Sequence, residues 1–179
     1  MNISSLNIFS NHDQIAWIGG GGKTSLIFTI AKELFSEKCV ITTTTKMGIN
    51  EKELANKSYS FDEGNIPDFP SLNGISFIHK RIHPDEQNKV IGLDSDLLKE
   101  LSIQLHNEKI PLFIEADGSK QKPIKIHAEH EPVIPDFVNK VCVVVGLSAI
   151  GKTLDQENFH RPELISDLLQ IPIGSLFEW

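Results

Sequence analysis

Only two cysteines occur in the 179 residues, Cys39 and Cys142, and both lie in apolar, strand-like runs where a thiol behaves as a small buried hydrophobe. A disulfide framework is excluded and a reducing compartment fits. Excess positive charge is also missing: the formal net charge is −7, whereas binding a phosphate backbone needs a basic face. No nucleic-acid partner is expected. No apolar run approaches the roughly 20 residues that cross a bilayer, and the polar stretch from Met1 to Asp13 lacks the pattern of a signal peptide. The protein is therefore read as cytoplasmic, without a membrane partner. Repeats and low-complexity tracts are absent. A 40% hydrophobic content suffices for a sizeable core, so one domain over 1–179 is expected, with an irregular excursion at about 48–80.

Against these absences stands Gly19-Gly20-Gly21-Gly22-Lys23-Thr24, between the apolar run Ile15–Ile18 and a helix-like stretch from Ser25 to Phe35. Consecutive glycines leave backbone N–H groups free to converge on phosphate oxygens, and a following helix adds its positive dipole end. Lys23 then reaches the terminal phosphates and the Thr24 hydroxyl holds Mg²⁺. The full P-loop spelling requires glycine where Trp17 stands. What remains is the shorter Gly-x-x-Gly-Lys-Thr form, which resembles the loop of ATP-using amide ligases and of short-loop NTPases. A plain glycine hairpin leaves the number of glycines unexplained, since each extra one adds roughly 0.5–1 kcal/mol of ordering entropy.

Gly146-Leu147-Ser148-Ala149-Ile150-Gly151-Lys152-Thr153 satisfies the full spelling. No apolar stripe at helical spacing follows Thr153, however, so no dipole or stack of free N–H groups is expected there. This segment is read as the loop after a core strand, with Lys152 at most a peripheral contact.

Along the chain, Cys39–Thr43 reads as a β-branched strand, Ile75–Ile78 as a short strand near an edge, and Pro111–Glu115 and Val141–Val145 as buried strands. Leucines at helical intervals from Asp96 to Leu105 predict an amphipathic helix capped by Asp94 or Ser95, and Pro162 opens a last helix through Leu169. Alternating strands and helices give a three-layer α/β fold with a mostly parallel sheet, P-loop NTPase-like, whose ligands gather at the carboxyl ends of the strands.

Three strand ends carry unusual chemistry. Beside the glycine loop, Thr42 and Thr43 prolong their strand, while Thr44, Thr45 and Lys46 project toward a metal-bound water or a phosphate. The third is Glu115-Ala116-Asp117-Gly118: an apolar strand ending in an acid is how a P-loop protein places a carboxylate near Mg²⁺, and a period of two puts both acids on one face. Lys120, Lys122 and Lys125 form a local basic cluster, read either as a solvated loop or as an anion contact. His127 and His130, three apart among prolines, favour a hydrogen-bonding or substrate-lining role over a metal site. Arg161 pairs with phosphate or Asp117, or faces solvent.

The segments Gly-Gly-Gly-Gly-Lys-Thr at 19–24, Thr-Thr-Thr-Thr-Lys-Met at 42–47, Glu-Ala-Asp-Gly-Ser at 115–119, Pro-Ile-Lys at 123–125, His-Glu-Pro-Val-Ile-Pro at 130–135, Val-Gly-Leu at 145–147 and His-Arg-Pro-Glu-Leu at 160–164 together resemble the selenium-dependent hydroxylase accessory protein family, also called the YqeC type. The resemblance implies a P-loop nucleotide-binding fold and an association with maturation of selenium-dependent molybdenum hydroxylases. It supports Lys23, Thr24, Lys46, Glu115, Asp117, Lys125, His130 and Arg161 as motif positions without assigning their roles. Family chains run on past the His-Arg helix, whereas this sequence stops at Trp179. The expectation is that the further segment carries a sheet strand or a base-recognition loop, and that Phe177 and Trp179 are exposed to a partner subunit, making an oligomer possible.

The expected function is that of an Mg²⁺-dependent NTP-binding protein, an NTPase using ATP or GTP, with a molybdenum hydroxylase or its cofactor-maturation proteins as partners. Gly19, Gly20, Gly21, Gly22, Lys23, Thr24, Ser25, Thr44, Thr45, Lys46, Lys125 and His130 bind the nucleotide, and Thr24 and Glu115 hold the metal. Lys23 and the loop amides stabilise phosphate charge, Asp117 orients the attacking group, and Arg161 or Lys125 contacts the acceptor. The alternatives are a non-enzymatic nucleotide-gated module that binds a client protein, and a small-molecule kinase or ligase.

Overall fold

A computed structural model of the chain describes residues 8–64, 67–129 and 131–178. Strands β1 (Gln14–Gly19), β2 (Lys38–Thr43), β4 (Lys57–Ser60), β5 (Gly74–His79), β8 (Leu112–Glu115) and β9 (Lys140–Val144) form a six-stranded sheet in the order β4-β5-β2-β8-β1-β9. Every pairing in it is parallel. A second, antiparallel sheet joins β3 (Lys46–Gly48), β7 (Lys89–Ile91) and β6 (Arg81–Ile82) in that order.

The period of two along each parallel strand divides the core between two faces. Ile15, Trp17, Cys39, Ile41, Phe77 and Phe113 turn to one side, where helix α1 (Lys23–Leu34) brings Ile27, Phe28, Ile30 and Ala31. Ala16, Val40, Ile78, Leu112 and Ile114 turn to the other, under Leu98, Leu101 and Leu105 of helix α2 (Ser95–Asn107). The α/β, three-layer architecture expected from the sequence is therefore present. Helix α2 starts where Asp94 accepts a hydrogen bond from the Leu97 N–H at 3.1 Å, which satisfies one of the first-turn donors. Helix α3 (Pro162–Leu169) carries its proline in the first turn and contributes Ile165 to a smaller cluster with Ala149, Leu154 and Phe159.

Four local expectations are corrected. The excursion contains β4, whose Lys57-Ser58-Tyr59-Ser60 lacks apolar alternation because an edge strand is held by its backbone ladder to β5. With β4 outside it, β5 is an interior strand, and every one of its residues is buried. Strand β9 is not fully buried but lies at the opposite edge, where Val143 is 65% exposed. Phe177 is half-buried and not exposed as expected: its ring packs on Phe159 at 5.2 Å between centroids. Trp179 and His130 lie outside the described residues. Among the described residues no helix is long and apolar enough to cross a membrane.

Candidate functional site

Sheet register brings the three strand ends together. Strand β8 lies between β1 and β2, so Glu115 is opposite Trp17 on one side and Thr43 on the other. The glycine loop, the threonine segment and the acids consequently emerge at one level of the carboxyl edge, the region where α/β sheets bind ligands.

Within the loop the glycines serve two purposes. The amides of Gly19, Gly20 and Gly21 do not stand free as expected: they donate to Asp117 Oδ2 at 2.9 Å, to the Val144 carbonyl at 2.7 Å and to the Lys122 carbonyl at 2.6 Å. The ends of strands β8 and β9 supply the acceptors for Gly19 and Gly20, and the close passage of residues 121–123 over the loop supplies that for Gly21. A Cβ on Gly20 would overlap the Pro123 carbonyl, and one on Gly21 would lie 3.0 Å from the Gln121 oxygen. Gly22 differs. Its φ of 92° is left-handed, no atom lies within 4 Å of where its Cβ would be, and as N-cap of α1 it offers no side-chain acceptor. The first-turn amides at Lys23, Thr24 and Ser25 thus form the open part of the cradle, because the first N–H groups of an α-helix have no partner within it. They border a cavity of about 870 Å³ also lined by Lys46, Glu115 and Lys120. Gly20→Ala is expected to destabilise the fold by about 1–3 kcal/mol through overpacking against Pro123; chemical denaturation reads this, and an unchanged midpoint contradicts the described passage.

Thr24 and Glu115 meet across the layer between α1 and β8, with the hydroxyl donating to Glu115 Oε2 at 2.7 Å. Burial pushes the Glu115 carboxyl up to about 7, against the smaller opposing effects of the Thr24 hydrogen bond and the Lys23 charge. A hydroxyl beside a desolvated carboxylate is a hard-oxygen donor pair suited to Mg²⁺, which keeps several waters and takes one or two protein oxygens. The residues fit that ion.

Asp117 is the centre of a buried network. Its Oδ1 faces the Lys23 ammonium at 2.9 Å, while Oδ2 accepts from Gly19 and sits 2.5 Å from His127 Nε2. Burial pushes this carboxyl up, but Gly19, Lys23 and His127 outweigh that and hold it below the ordinary aspartate value. Lys23 also donates to the Gly19 and Gly20 carbonyls at 3.0 and 3.1 Å, so its ammonium points inward. Lys125, its side chain 0% exposed, lies 3.5 Å from Asp117 and 3.2 Å from Glu131, and donates to the Gly118 carbonyl at 2.9 Å. Arg161 pairs with Glu131 at 2.5 Å, not with Asp117, and donates to the Ile126 carbonyl at 3.2 Å. Arg161, ahead of Lys125, holds Glu131 down at about 2. Glu131 escaped sequence reasoning; its only signal was its place in the His-Glu-Pro segment.

Elsewhere, the Thr44 hydroxyl is buried without a partner and faces the cavity beside α2. Thr45 donates its N–H to the Thr43 hydroxyl at 3.1 Å. Lys46, carried on β3, pairs with Glu86 at 2.6 Å. Glu51, also missed, borders the glycine-loop cavity from a 3₁₀ turn inside the excursion. Only a short 3₁₀ turn at Leu147–Ala149 occurs in the second glycine-lysine segment, and Lys152 there is exposed. Among the described residues no group of three or more His, Cys, Asp or Glu is placed to hold a metal.

The profile of the YqeC protein family matches residues 15–163. A curated relative, "Uncharacterized protein YqeC" of Escherichia coli (strain K12), is 33% identical over 156 residues, covering 86% of this chain and 59% of the relative. The chain thus spans less than two thirds of that relative's length. No solved structure matches.

Proposed function

We infer that this chain, which belongs to the YqeC family, binds an Mg²⁺–nucleoside triphosphate, ATP or GTP, on the Gly19–Ser25 loop and hydrolyses it. The observation that carries this reading is the Thr24–Glu115 contact of 2.7 Å, set beside an uncapped helix N-terminus at the carboxyl edge of a parallel sheet. Phosphate oxygens take the open amides of Lys23, Thr24 and Ser25. The Lys23 ammonium turns from the Gly19 and Gly20 carbonyls toward the terminal phosphate. Asp117, whose oxygens are committed to Gly19, Lys23 and His127, acts as a positioning residue that keeps the lysine poised and not as the group that orients water. Thr24 and Glu115 would hold Mg²⁺, which would supply charge stabilisation to the phosphates. The resemblance to selenium-dependent hydroxylase accessory proteins supports the further role, assisting maturation of a molybdenum hydroxylase in the cytoplasm.

The test of turnover is phosphate release from ATP or GTP by purified protein. It should require Mg²⁺ and fall at least about 100-fold in Glu115→Gln; release that survives this change overturns the assignment. Nucleotide-dependent capture of a molybdenum hydroxylase without turnover would instead favour the gated module.

Glu115 gives the site a pH signature. Mg²⁺ requires the ionised carboxylate, so with a carboxyl at about 7 affinity rises as protons leave. From about pH 6 to 7 Mg²⁺ affinity should increase roughly fivefold, and from 7 to 8 less than about twofold, beyond the slope shown by Glu115→Gln. Calorimetric Mg²⁺ titrations in the presence of a non-hydrolysable ATP analogue check this, and identical slopes in the two proteins contradict it.

A further inference from the structure

Next to the glycine-loop cavity lies a second one of about 630 Å³, within the size range of small-molecule sites. The two share Lys46, Gly118 and Lys120 along their border. Four cations line the second cavity, Lys46, Lys120, Lys122 and Arg161, against two acids, Glu131 and Glu163, and Lys46 is held by Glu86 from outside the lining at 2.6 Å. In a chain of formal charge −7 this is a local reversal of sign, and a concave wall focuses such a field on an anion. Glu131 adds little negative potential because Arg161 and buried Lys125 both sit on it, at 2.5 and 3.2 Å, which leaves Lys120 and Lys122 as the lining cations without an acid partner among the described residues. His160 reports the same field: burial, then Arg161, Lys125 and Lys120, push its imidazole down toward the neutral form, and its Nδ1 is buried without a partner.

The cations arrive from separate segments. Lys46 comes from β3, Lys120 and Lys122 from the turn after β8, and Arg161 from the residue that precedes α3. Arg161 has already spent its Nη1 on Glu131 and on the Ile126 carbonyl, which disfavours forked capture of a lone carboxylate. Among the described residues the Lys120 ammonium has no ion-pair partner. Point charges converging from several sides suit a tetrahedral dianion with oxygens in every direction.

We propose that this cavity is a second ligand subsite for a small molecule carrying a phosphate-like dianion, adjacent to the terminal-phosphate end of the glycine loop. Its adjacency to a nucleotide rests on the function proposed above, whereas its charge and shape do not.

Amide shifts of ¹⁵N-labelled protein titrated with inorganic phosphate, with and without saturating ADP, test it. Saturable shifts are expected at Gln156, His160 and Arg161, persisting when ADP is present. Gln156 lines this cavity and not the glycine-loop one, and it is exposed, so Gln156→Glu adds a negative charge without disturbing the core. It should weaken phosphate by about fivefold or more, and Lys120→Glu should do the same. Shifts confined to Gly21–Ser25, the absence of any saturable shift, or unchanged affinity in both variants overturn the proposal. If ADP fails to bind while the shifts at Gln156, His160 and Arg161 remain, the nucleotide reading falls and the subsite stands.

Discussion

Asp117→Asn is expected to destabilise the protein by about 3–5 kcal/mol, the range for removing one partner of a buried ion pair and leaving the other charge uncompensated. Two ammonium groups depend on this carboxylate, Lys23 at 2.9 Å and Lys125 at 3.5 Å, with side chains 2% and 0% exposed. Lys125 retains Glu131, but Lys23 retains only the Gly19 and Gly20 carbonyls. For a chain of this size the loss corresponds to a drop in Tm of about 10 °C. The pH dependence has a definite sign. Because the folded-state carboxyl lies below its ordinary value of 3.8, the stabilisation is present above that value and is lost as pH falls through the lower, folded one. Denaturation curves for the two proteins should therefore be far apart near neutrality and approach one another in acid. Equal midpoints at neutral pH would mean that the network contributes nothing.

Lys23→Ala is expected to abolish nucleotide turnover, with a fall of about 100- to 1,000-fold, the usual effect of deleting one group that meets charge developing in the transition state. Stability will fall as well, since Asp117 then lacks its closest cation. Asp117→Asn separates the two effects. It destabilises the fold but releases the Lys23 ammonium, so nucleotide affinity in that variant should be retained or increased while Lys23→Ala loses it. Phosphate-release assays well below either Tm, paired with binding isotherms, distinguish these outcomes. If Asp117→Asn loses affinity to the same degree as Lys23→Ala, then the ion pair is needed to place the Lys23 ammonium for the ligand and does not merely hold it away.

The parts of this architecture that were legible in the sequence are those in which each residue's neighbours along the chain determine its fate. Ile15–Gly19 with its glycine turn and helix, the cap at Asp94 and Pro162 at the start of α3 are local signals, and each element lies where it was expected. Glu115 was legible because an acid terminating an apolar strand is also local. Strand β4 was not, since Lys57–Ser60 has no apolar alternation and exists through backbone pairing with β5. The half-exposure of β9 depends on strand order, which among the described residues places no strand beyond it. Side-chain partners across the site were least legible. Lys125 reads as part of a basic cluster in a solvated loop or at an anion, yet it is buried against Asp117 and Glu131, and the choice of Glu131 by Arg161 is equally a matter of how distant parts of the chain meet. The glycines were recognised for a partly different reason from the one the fold reveals: Gly20 admits Pro123, while Gly22 keeps the open face.

Isothermal calorimetry of the wild-type chain with ATP and with GTP, each with and without Mg²⁺, addresses the central claim most directly. Saturable binding of at least one triphosphate, strengthened by Mg²⁺ and lost in Lys23→Ala, is the predicted result. A folded sample that takes up neither triphosphate in either condition would contradict it.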